Sequence, residues 1–434
     1  MAAEVQVKEH QLNRGQELRF EVGNVAEDAK KPMIQLIEGQ AEMFGMPLKK
    51  YTKYASFPPG FRGAIYTHTS ARIEVTGVLE IEYIATKNQP MLAYVNVHAG
   101  ITELREKTAD GQSGPVVMIT GPKCVGKSTL CKVLCNYAVR ATTPVVFVDL
   151  DVGQNTVMPG CISMVGVEHL ADFVNEIDTR APFAYCFGHY NPMENQKLYD
   201  LQVTKAAAVL KKKLQTERFR KGGAIIDTCA WNKGDYYDSV VKAAKEFGVH
   251  VVIVLDHERM VADLTRDLPE SIRIVHLPKS GGVESLSALQ EAEARKLTVH
   301  RYFYGTRMCR YYPITIDLPF GGENSELPRI ARIGVEALPA SCLPFGMDPS
   351  EHQTMVEVVP YTPALNNRIV AFIEDVKPLS SVVIGYRVIG FMLIKRVDME
   401  AKRADVLLTA EPPVKSGLAL LTETLFMDDI MHHY

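Results

Sequence analysis

One stretch limits what this chain can fold into more than any other: Val116 to Thr129, VVMITGPKCVGKST. Five strand-like residues run into Gly121, four residues separate it from Gly126, and Lys127, Ser128 and an apolar helical pattern (Leu130, Val133, Leu134, Tyr137) follow. This spacing predicts a phosphate loop in its required strand-to-helix setting. Glycines let successive backbone N–H groups curl around a β-phosphate, and the helix N-terminus adds the positive end of its dipole. Gly121, Cys124, Val125, Gly126 and Thr129 form the expected cradle, Lys127 reaches the β and γ oxygens, and Ser128 is placed to hold Mg²⁺.

The chain has 434 residues, enough for two or three domains with a core in each. A formal net charge of -3 excludes a generally basic nucleic-acid coat while leaving room for a local basic groove. The eight cysteines form no CxxC pairs, so neither a zinc site nor a disulfide framework is indicated and a reducing compartment is expected. MAAEVQVKEH lacks an apolar signal region and no run reaches membrane-spanning length, so secretion and membrane insertion are not expected.

Three regions are expected. Residues 1–105 read as short strands between turn residues: Glu17 to Val22, Met33 to Glu38, Gly63 to Thr69, Arg72 to Thr76, Val78 to Ile84 and Met91 to His98. This predicts a small antiparallel sandwich or barrel, with a short helical segment after His98. Residues 106–306 switch to strands alternating with helices. VVMIT, VVFVDL (145–150), AYCFG (184–188), GAIID (223–227) and VVIVLD (251–256) are apolar runs that predict a parallel sheet buried on both faces, a phosphate-loop nucleoside triphosphatase core. Residues 307–434 return to short strands with prolines: Tyr312 to Ile316, Ile330 to Val335, Met355 to Val359, Ile369 to Ile373, Val382 to Val388, Ile389 to Arg396 and Ala404 to Thr409. The fold class is therefore α/β, a central sheet flanked by an N-terminal β-sandwich and a small β-rich C-terminal interaction domain.

Ligands of such sheets collect at the carboxyl ends of the strands. There the second strand ends in Asp149-Leu-Asp151-Val-Gly-Gln154. A carboxylate at that place accepts a hydroxyl proton or holds the metal's water shell. Asp149 and Asp151 share a strand face, and either of them caps the strand end as an alternative. Asp227 fits a second acidic position at a strand end, or a partner of one. Asn232-Lys233-Gly234-Asp235 spells a guanine-reading tetrapeptide, but it does not directly follow an apolar strand and no accompanying DxxG is present. Lys211-Lys212-Lys213 with Arg218, Arg220 and Lys221 is a basic run that reads as a solvated helix end, as a nucleic-acid contact or as a nuclear-import signal. Trp231 at the ligand edge suits either base stacking or ordinary burial.

With these residues in place, the chain resembles the polyribonucleotide 5′-hydroxyl-kinase family that also serves as a subunit of the pre-mRNA cleavage complex. The landmarks are Glu17-Leu-Arg-Phe20, Gly39-Gln-Ala-Glu-Met-Phe-Gly45, the phosphate loop, VDLDVGQ (148–154), Pro159-Gly160, Phe187-Gly-His189 with Pro192 and Asn195, Thr228-Cys229 with Trp231, LDHERM (255–260), PKSGG (278–282), YFYG and LPFGM (343–347). The resemblance implies ATP and Mg²⁺ as cofactors, with Glu17 and Arg62 on the adenine side, Lys127 on phosphate, and Ser128 and Asp151 at the metal. It also implies Asp151 as the base toward an RNA 5′-hydroxyl end, Trp231 and Gln154 on that RNA, and a lid after PKSGG whose arginines meet the transferring phosphoryl group. Implied partners are a scaffold subunit of the pre-mRNA cleavage factor and, in some members, the tRNA splicing endonuclease. The implied location is the nucleus.

The chain departs from that family in its lid, 283–297, VESLSALQEAEARKL. Leu286, Glu291 and Glu293 stand about where arginines are expected, and Arg295 is the sole arginine between Gly282 and His300. Lys123-Cys124 replaces Thr-Asp, Asn191 replaces Ser or Thr, and Asp227 replaces Asn. A clamping arginine is worth about 10³-fold or more in phosphoryl transfer. Two expectations follow. The depleted lid favours a structural, ATP-bound subunit of the 3′-end processing machinery, and the alternative is an active polynucleotide 5′-hydroxyl kinase using Asp151, Lys127 and Arg295.

Overall fold

A computed structural model describes residues 7–23, 31–55, 57–85, 90–171, 177, 182–230, 236–306, 309–321, 325–334, 351–373, 384–409 and 417–427. The N-terminal region is a sandwich of two antiparallel sheets. One orders its strands Val7–Leu12, Ala71–Thr76, Met33–Gly39 and Lys53–Tyr54; the other runs Met46–Pro47, Glu42–Met43, Arg62–Tyr66, Glu17–Glu21 and Ile81–Ala85. The strand Ala71–Thr76 alternates buried and half-buried residues, so Ile73 and Val75 meet Leu18, Ile34 and Ile65 between the sheets.

The expected strand from Met91 to His98 is instead the first half of one helix, Met91–Lys107. Met91, Tyr94, Ile101 and Arg105 recur at helical spacing on its buried face. Arg105 Nε donates to the carbonyl of Gly222 at 3.1 Å, pinning this helix to the central region. The polar residues between the apolar ones mimicked strand alternation, and burial of one stripe decided for the helix.

The central sheet orders its strands Phe183–Cys186, Cys161–Val167, Val145–Asp149, Ala224–Asp227, Val116–Thr120, Val251–Leu255 and Arg273–Leu277. The five from Val145–Asp149 onward are parallel. Cys161–Val167 pairs antiparallel with both of its neighbours, so Phe183–Cys186 runs the same way as the five, as expected for 184–188, and the reversed strand between them was not anticipated. The chain turns back at Pro159-Gly160 without a crossover helix, so Cys161–Val167 can only lie antiparallel beside Val145–Asp149. Arg273–Leu277, an edge strand of mixed polarity, was also not anticipated.

The C-terminal sheet orders Ile314–Pro319, Arg403–Leu408, Val388–Asp398, Arg368–Ile373, Leu418–Leu425, Arg329–Ile333 and Val356–Val359. The expected strand Ile389 to Arg396 lies within one strand of 11 residues, Val388–Asp398; of the expected strand Val382 to Val388 only Val388 belongs to it, residues 384–387 are not strand, and 382–383 lie outside the described residues. Leu418–Leu425 was not anticipated, yet it sits inside the sheet and joins this region to the centre. Glu423 N donates to Gly188 O at 2.8 Å, Thr424 Oγ1 to Pro159 O at 3.3 Å, and the Glu423 carboxylate meets His189 Nδ1 at 2.7 Å. Apolar residues of the two regions form one continuous core from Val116 to Phe426.

Candidate functional site

The phosphate loop takes the shape its glycines allow. Gly121 has φ +151°, and a Cβ there would lie 2.6 Å from the carbonyl of Leu255. Gly126, at φ +93°, caps the helix Lys127–Arg140 in a left-handed conformation that disfavours side chains. Cys124 also has positive φ, at +53°. Lys127 is buried and its Nζ donates to Pro122 O at 2.9 Å, while Ser128 stays open to the cavity above.

Three aspartates stand at the strand ends beside this loop, and the fold gives them different work. Asp149 is buried and braces the backbone: Oδ1 accepts from Asp151 N at 3.0 Å, and Oδ2 accepts from Thr156 N and Thr156 Oγ1, each at 2.7 Å. Asp149 is therefore the one that caps the strand end. Burial pushes its carboxyl far above the usual range, with the nearby Asp227 adding to the effect. Asp151 holds its loop through Oδ1, which accepts from Gly153 N at 2.9 Å and Gln154 N at 3.2 Å, and it lines the cavity. Burial raises its acidity range, Lys127 and the two N–H groups pull it back, and Glu291 adds a small upward push. Asp227 is buried and its carboxyl is raised by desolvation, opposed by Lys127; the Ser128 hydroxyl bonds it, and its Oδ1 has no hydrogen-bond partner among the described residues.

A cavity of about 670 Å³ lies over the loop, walled by all three parts of the site. Cys124 to Thr129 form its floor with Asp151 and Gln154; Glu17, Arg62 and Tyr83 come from the sandwich; Met91 and Tyr94 come from the unexpected helix; Ser280 to Leu286, Glu291 and Arg295 come from the lid. Of the residues singled out in the sequence, Glu17, Arg62, Cys124 to Thr129, Asp151, Gln154 and Arg295 line this space; Gly121, Asp149, Asp227 and the basic run do not, and Trp231 lies outside the described residues. Asn232 to Asp235 also lie outside them. Glu17 is buried and paired with Arg19, whose Nη2 and Nε stand 2.8 and 3.0 Å from Glu17 Oε2. Burial lifts the Glu17 carboxyl, and Arg19 opposes the lift.

The lid opens its helix, Ala288–Tyr304, with a capping box in which Ser287 and Gln290 each bond the other's backbone N–H. Two departures noted in the sequence meet here in space: Lys123 Nζ is 2.5 Å from Glu291 Oε1. Arg295 lies over the Tyr190 ring at 4.6 Å, and Tyr190 in turn hydrogen-bonds Thr424 of the C-terminal sheet. Tyr190, Arg19 and Thr156 were not anticipated. A tyrosine after Phe187-Gly-His189 carries no motif, and its use depends on two other regions folding against it.

An all-oxygen donor set of Ser128 and Asp151 in the cavity, with Asp227 bonded to Ser128 behind it, suits Mg²⁺, which takes one or two carboxylates plus phosphate oxygens, and an Asp227 Oδ1 without a partner among the described residues fits a cation close by. Among the described residues, no helix is long and apolar enough to cross a membrane.

Three family models match in succession: the N-terminal beta-sandwich domain of polyadenylation factor over residues 11–108, the mRNA cleavage and polyadenylation factor CLP1 P-loop over 121–305, and pre-mRNA cleavage complex II protein Clp1 over 312–428. The chain is 41% identical to the protein CLP1 homolog of Brugia malayi, covering 98% of this chain and 97% of that one. It is 39% identical to protein clpf-1 of Caenorhabditis briggsae, covering 98% and 99%, and 39% identical to the CLP1 homolog of Drosophila melanogaster, also covering 98% and 99%. A solved Clp1p structure, described by its interface with Pcf11p and by ATP loss in a point mutant, superposes with a TM-score of 0.83 at 20% identity over 98% of this chain and 100% of that one. A wild-type Clp1p–Pcf11p complex superposes with a TM-score of 0.81 at 20% identity over 97% and 98%. At that identity the superposition establishes the shared fold. Full-length identity near 40% goes further, and the chain belongs to the CLP1 family of pre-mRNA cleavage and polyadenylation factors.

Proposed function

We propose that this chain is an ATP-binding subunit of the nuclear pre-mRNA 3′-end cleavage machinery, in which MgATP acts as a brace between the sandwich, the phosphate loop and the lid. The observation that carries this reading is the state of the lid. Two of its three glutamates are engaged, Glu291 with Lys123 and Glu284 with Arg62 at 3.8 Å, and its one arginine in that stretch rests on Tyr190. A site built this way offers little cationic charge to a transferring phosphoryl group beyond Lys127. It offers much to a bound nucleotide that stays in place, because a ligand stabilises whichever conformation it prefers without turnover. The solved relatives hold Pcf11p, and by that likeness we assign this chain a scaffold subunit of the cleavage factor as partner.

The kinase alternative keeps one supporting observation. Asp151 lines the cavity beside Lys127 with Oδ1 tied to the loop, so its other oxygen is placed to take the proton of an attacking RNA 5′-hydroxyl. Lys127 would offset charge on the β and γ oxygens, and Ser128, Asp151 and Asp227 would hold Mg²⁺, which supplies further neutralisation of phosphate charge when bound. The deciding assay measures transfer of labelled γ-phosphate from ATP to a short 5′-hydroxyl RNA, alongside calorimetric MgATP binding, for the wild type, Asp151→Asn and the pair Leu286→Arg with Glu291→Arg. The brace reading expects MgATP binding without transfer by the wild type. Transfer that Asp151→Asn abolishes overturns it in favour of the kinase. Failure of the wild type to bind MgATP overturns both.

A further inference from the structure

The lid segment 280–291 is tied from two sides. On the sandwich side, the lid backbone lies close against Arg19: a Cβ on Gly282 would lie 3.0 Å from Arg19 Cδ and Nε and would push that side chain by a few tenths of an ångström. Arg62 reaches both Glu21 at 3.2 Å and Glu284 of the lid at 3.8 Å. On the phosphate-loop side, Val283 Cγ2 lies 3.3 Å from the Cβ position of Gly126, and the backbone N–H of Leu286 donates to Cys124 Sγ at 3.4 Å. The closest tie is the ion pair between Lys123 Nζ and Glu291 Oε1 at 2.5 Å, a charge contact without hydrogen-bond geometry, with the Glu291 side chain 12% and the Lys123 side chain 55% exposed.

Glu291 is held in place before any lysine approaches. It sits in the first turn of the lid helix, where the capping box fixes the backbone and the helix dipole favours a carboxylate. Lys123 projects from the tip of the phosphate loop, between the strand and Cys124, so the pair bridges the two walls between which a triphosphate would lie. Opening the lid separates these charges, strips Cys124 of its donor and uncovers Val283. We infer that the Lys123–Glu291 pair is a latch that holds the lid over the phosphate loop, so that the nucleotide, once bound, is retained and exchanges slowly. This rests on the nucleotide-binding reading above and deepens it: the site is regulated at release.

The test follows displacement of a fluorescent ATP analogue by excess ATP in stopped flow, with Mg²⁺ present, for the full-length wild type, Lys123→Ala, Glu291→Gln, their double variant, and the reversed pair Lys123→Glu with Glu291→Lys. Each single change is expected to speed release about 3- to 10-fold, as befits a half-buried ion pair, with association little changed. The double variant is expected to release no faster than the faster single one, because both remove the same contact. The reversed pair, which keeps the contact, is expected to return release to within about twofold of the wild type. Single variants that release at the wild-type rate, or a double variant whose effect is the product of the two, would overturn the latch while leaving nucleotide binding intact. A wild type that binds no analogue and no ATP would instead remove the nucleotide-binding reading and the latch with it.

Discussion

Replacing Asp227 by asparagine tests the arrangement of carboxylates under the phosphate loop, because it pulls stability and ligand binding in opposite directions. Asp227 is buried, its Oδ1 lacks a partner among the described residues, and its negative charge is the main neighbour raising the Asp149 carboxyl after burial itself. An unpartnered buried polar atom costs about 1–3 kcal/mol. In Asp227→Asn the amide oxygen keeps the donors from Ser128 and Thr228, the NH₂ group faces the other carboxylates as a donor, and the charge is gone. The nucleotide-free variant should gain about 1–3 kcal/mol, and each kcal/mol raises the melting temperature by ~2–4 °C for a cooperative unit near 200 residues. The sign of the pH dependence follows from the raised carboxyl. The folded protein keeps that proton where the unfolded chain has released it, so the wild type loses stability as pH rises through the folded-state range. The advantage of asparagine is therefore greatest at about pH 8 and fades toward about pH 4.

With MgATP the advantage should shrink by about 1.3 kcal/mol, which cancels a gain at the low end of that range. If asparagine weakens the Mg²⁺ site tenfold, then at a concentration 100 times the wild-type Kd the ligand adds ~2.7 kcal/mol to the wild type and only ~1.4 kcal/mol to the variant. Differential scanning fluorimetry with and without MgATP reads both numbers. A nucleotide-free variant that melts at or below the wild type, or one with the full MgATP increment, would refute the reasoning.

Other expectations follow from individual contacts. His98, packed 5.3 Å from the Tyr137 ring, is pulled down to about 4 by burial and by Arg105 and Arg140. The unfolded chain takes up that proton first, so stability present above the ordinary histidine range is lost as pH falls toward 4; urea midpoints should show a flatter acid limb in His98→Gln. A Cβ on Gly63 would lie 2.2 Å from Phe20 Cζ, inside a cluster with Phe57 and Phe61, and Gly63→Ala should cost about 1–3 kcal/mol in a thermal melt. An unchanged melt would show that the cluster gives way freely. Lys127→Ala removes a charged donor to phosphate and should weaken ATP binding by about tenfold or more in calorimetry without changing the circular dichroism spectrum.

Much of the fold was legible because its signals are local. The phosphate loop, the apolar strands after it and the alternation in Ala71–Thr76 each express backbone and burial rules within a few residues. Where the expectations failed, longer-range packing decided. Met91–Lys107 is a helix because one stripe of it packs on the centre through residues such as Arg105. Cys161–Val167 carries a run of apolar residues that periodicity does not assign to a helix or a strand, and it became a strand through pairing with Val145–Asp149. Leu418–Leu425 took its place through contacts with Pro159 and Gly188, far away in the chain.

The candidate site divides in the same way. The chemical types present (a glycine cradle, Lys127, Ser128 and aspartates at strand ends) are read directly from spacing, since loop conformation and strand periodicity are short-range properties. Which aspartate braces and which faces the cavity was not readable. That depends on whether Thr156 or open space lies beyond each carboxylate. Nor did the lid segment, taken as a string, show where its glutamates go. In the string, Glu291 is a lost arginine; in space it is the partner of Lys123, because the lid helix folds back over a loop formed much earlier in the chain. Charge identity is written residue by residue, but the pairing of charges requires distance, and distance is set only when the sandwich, the sheet and the lid pack together.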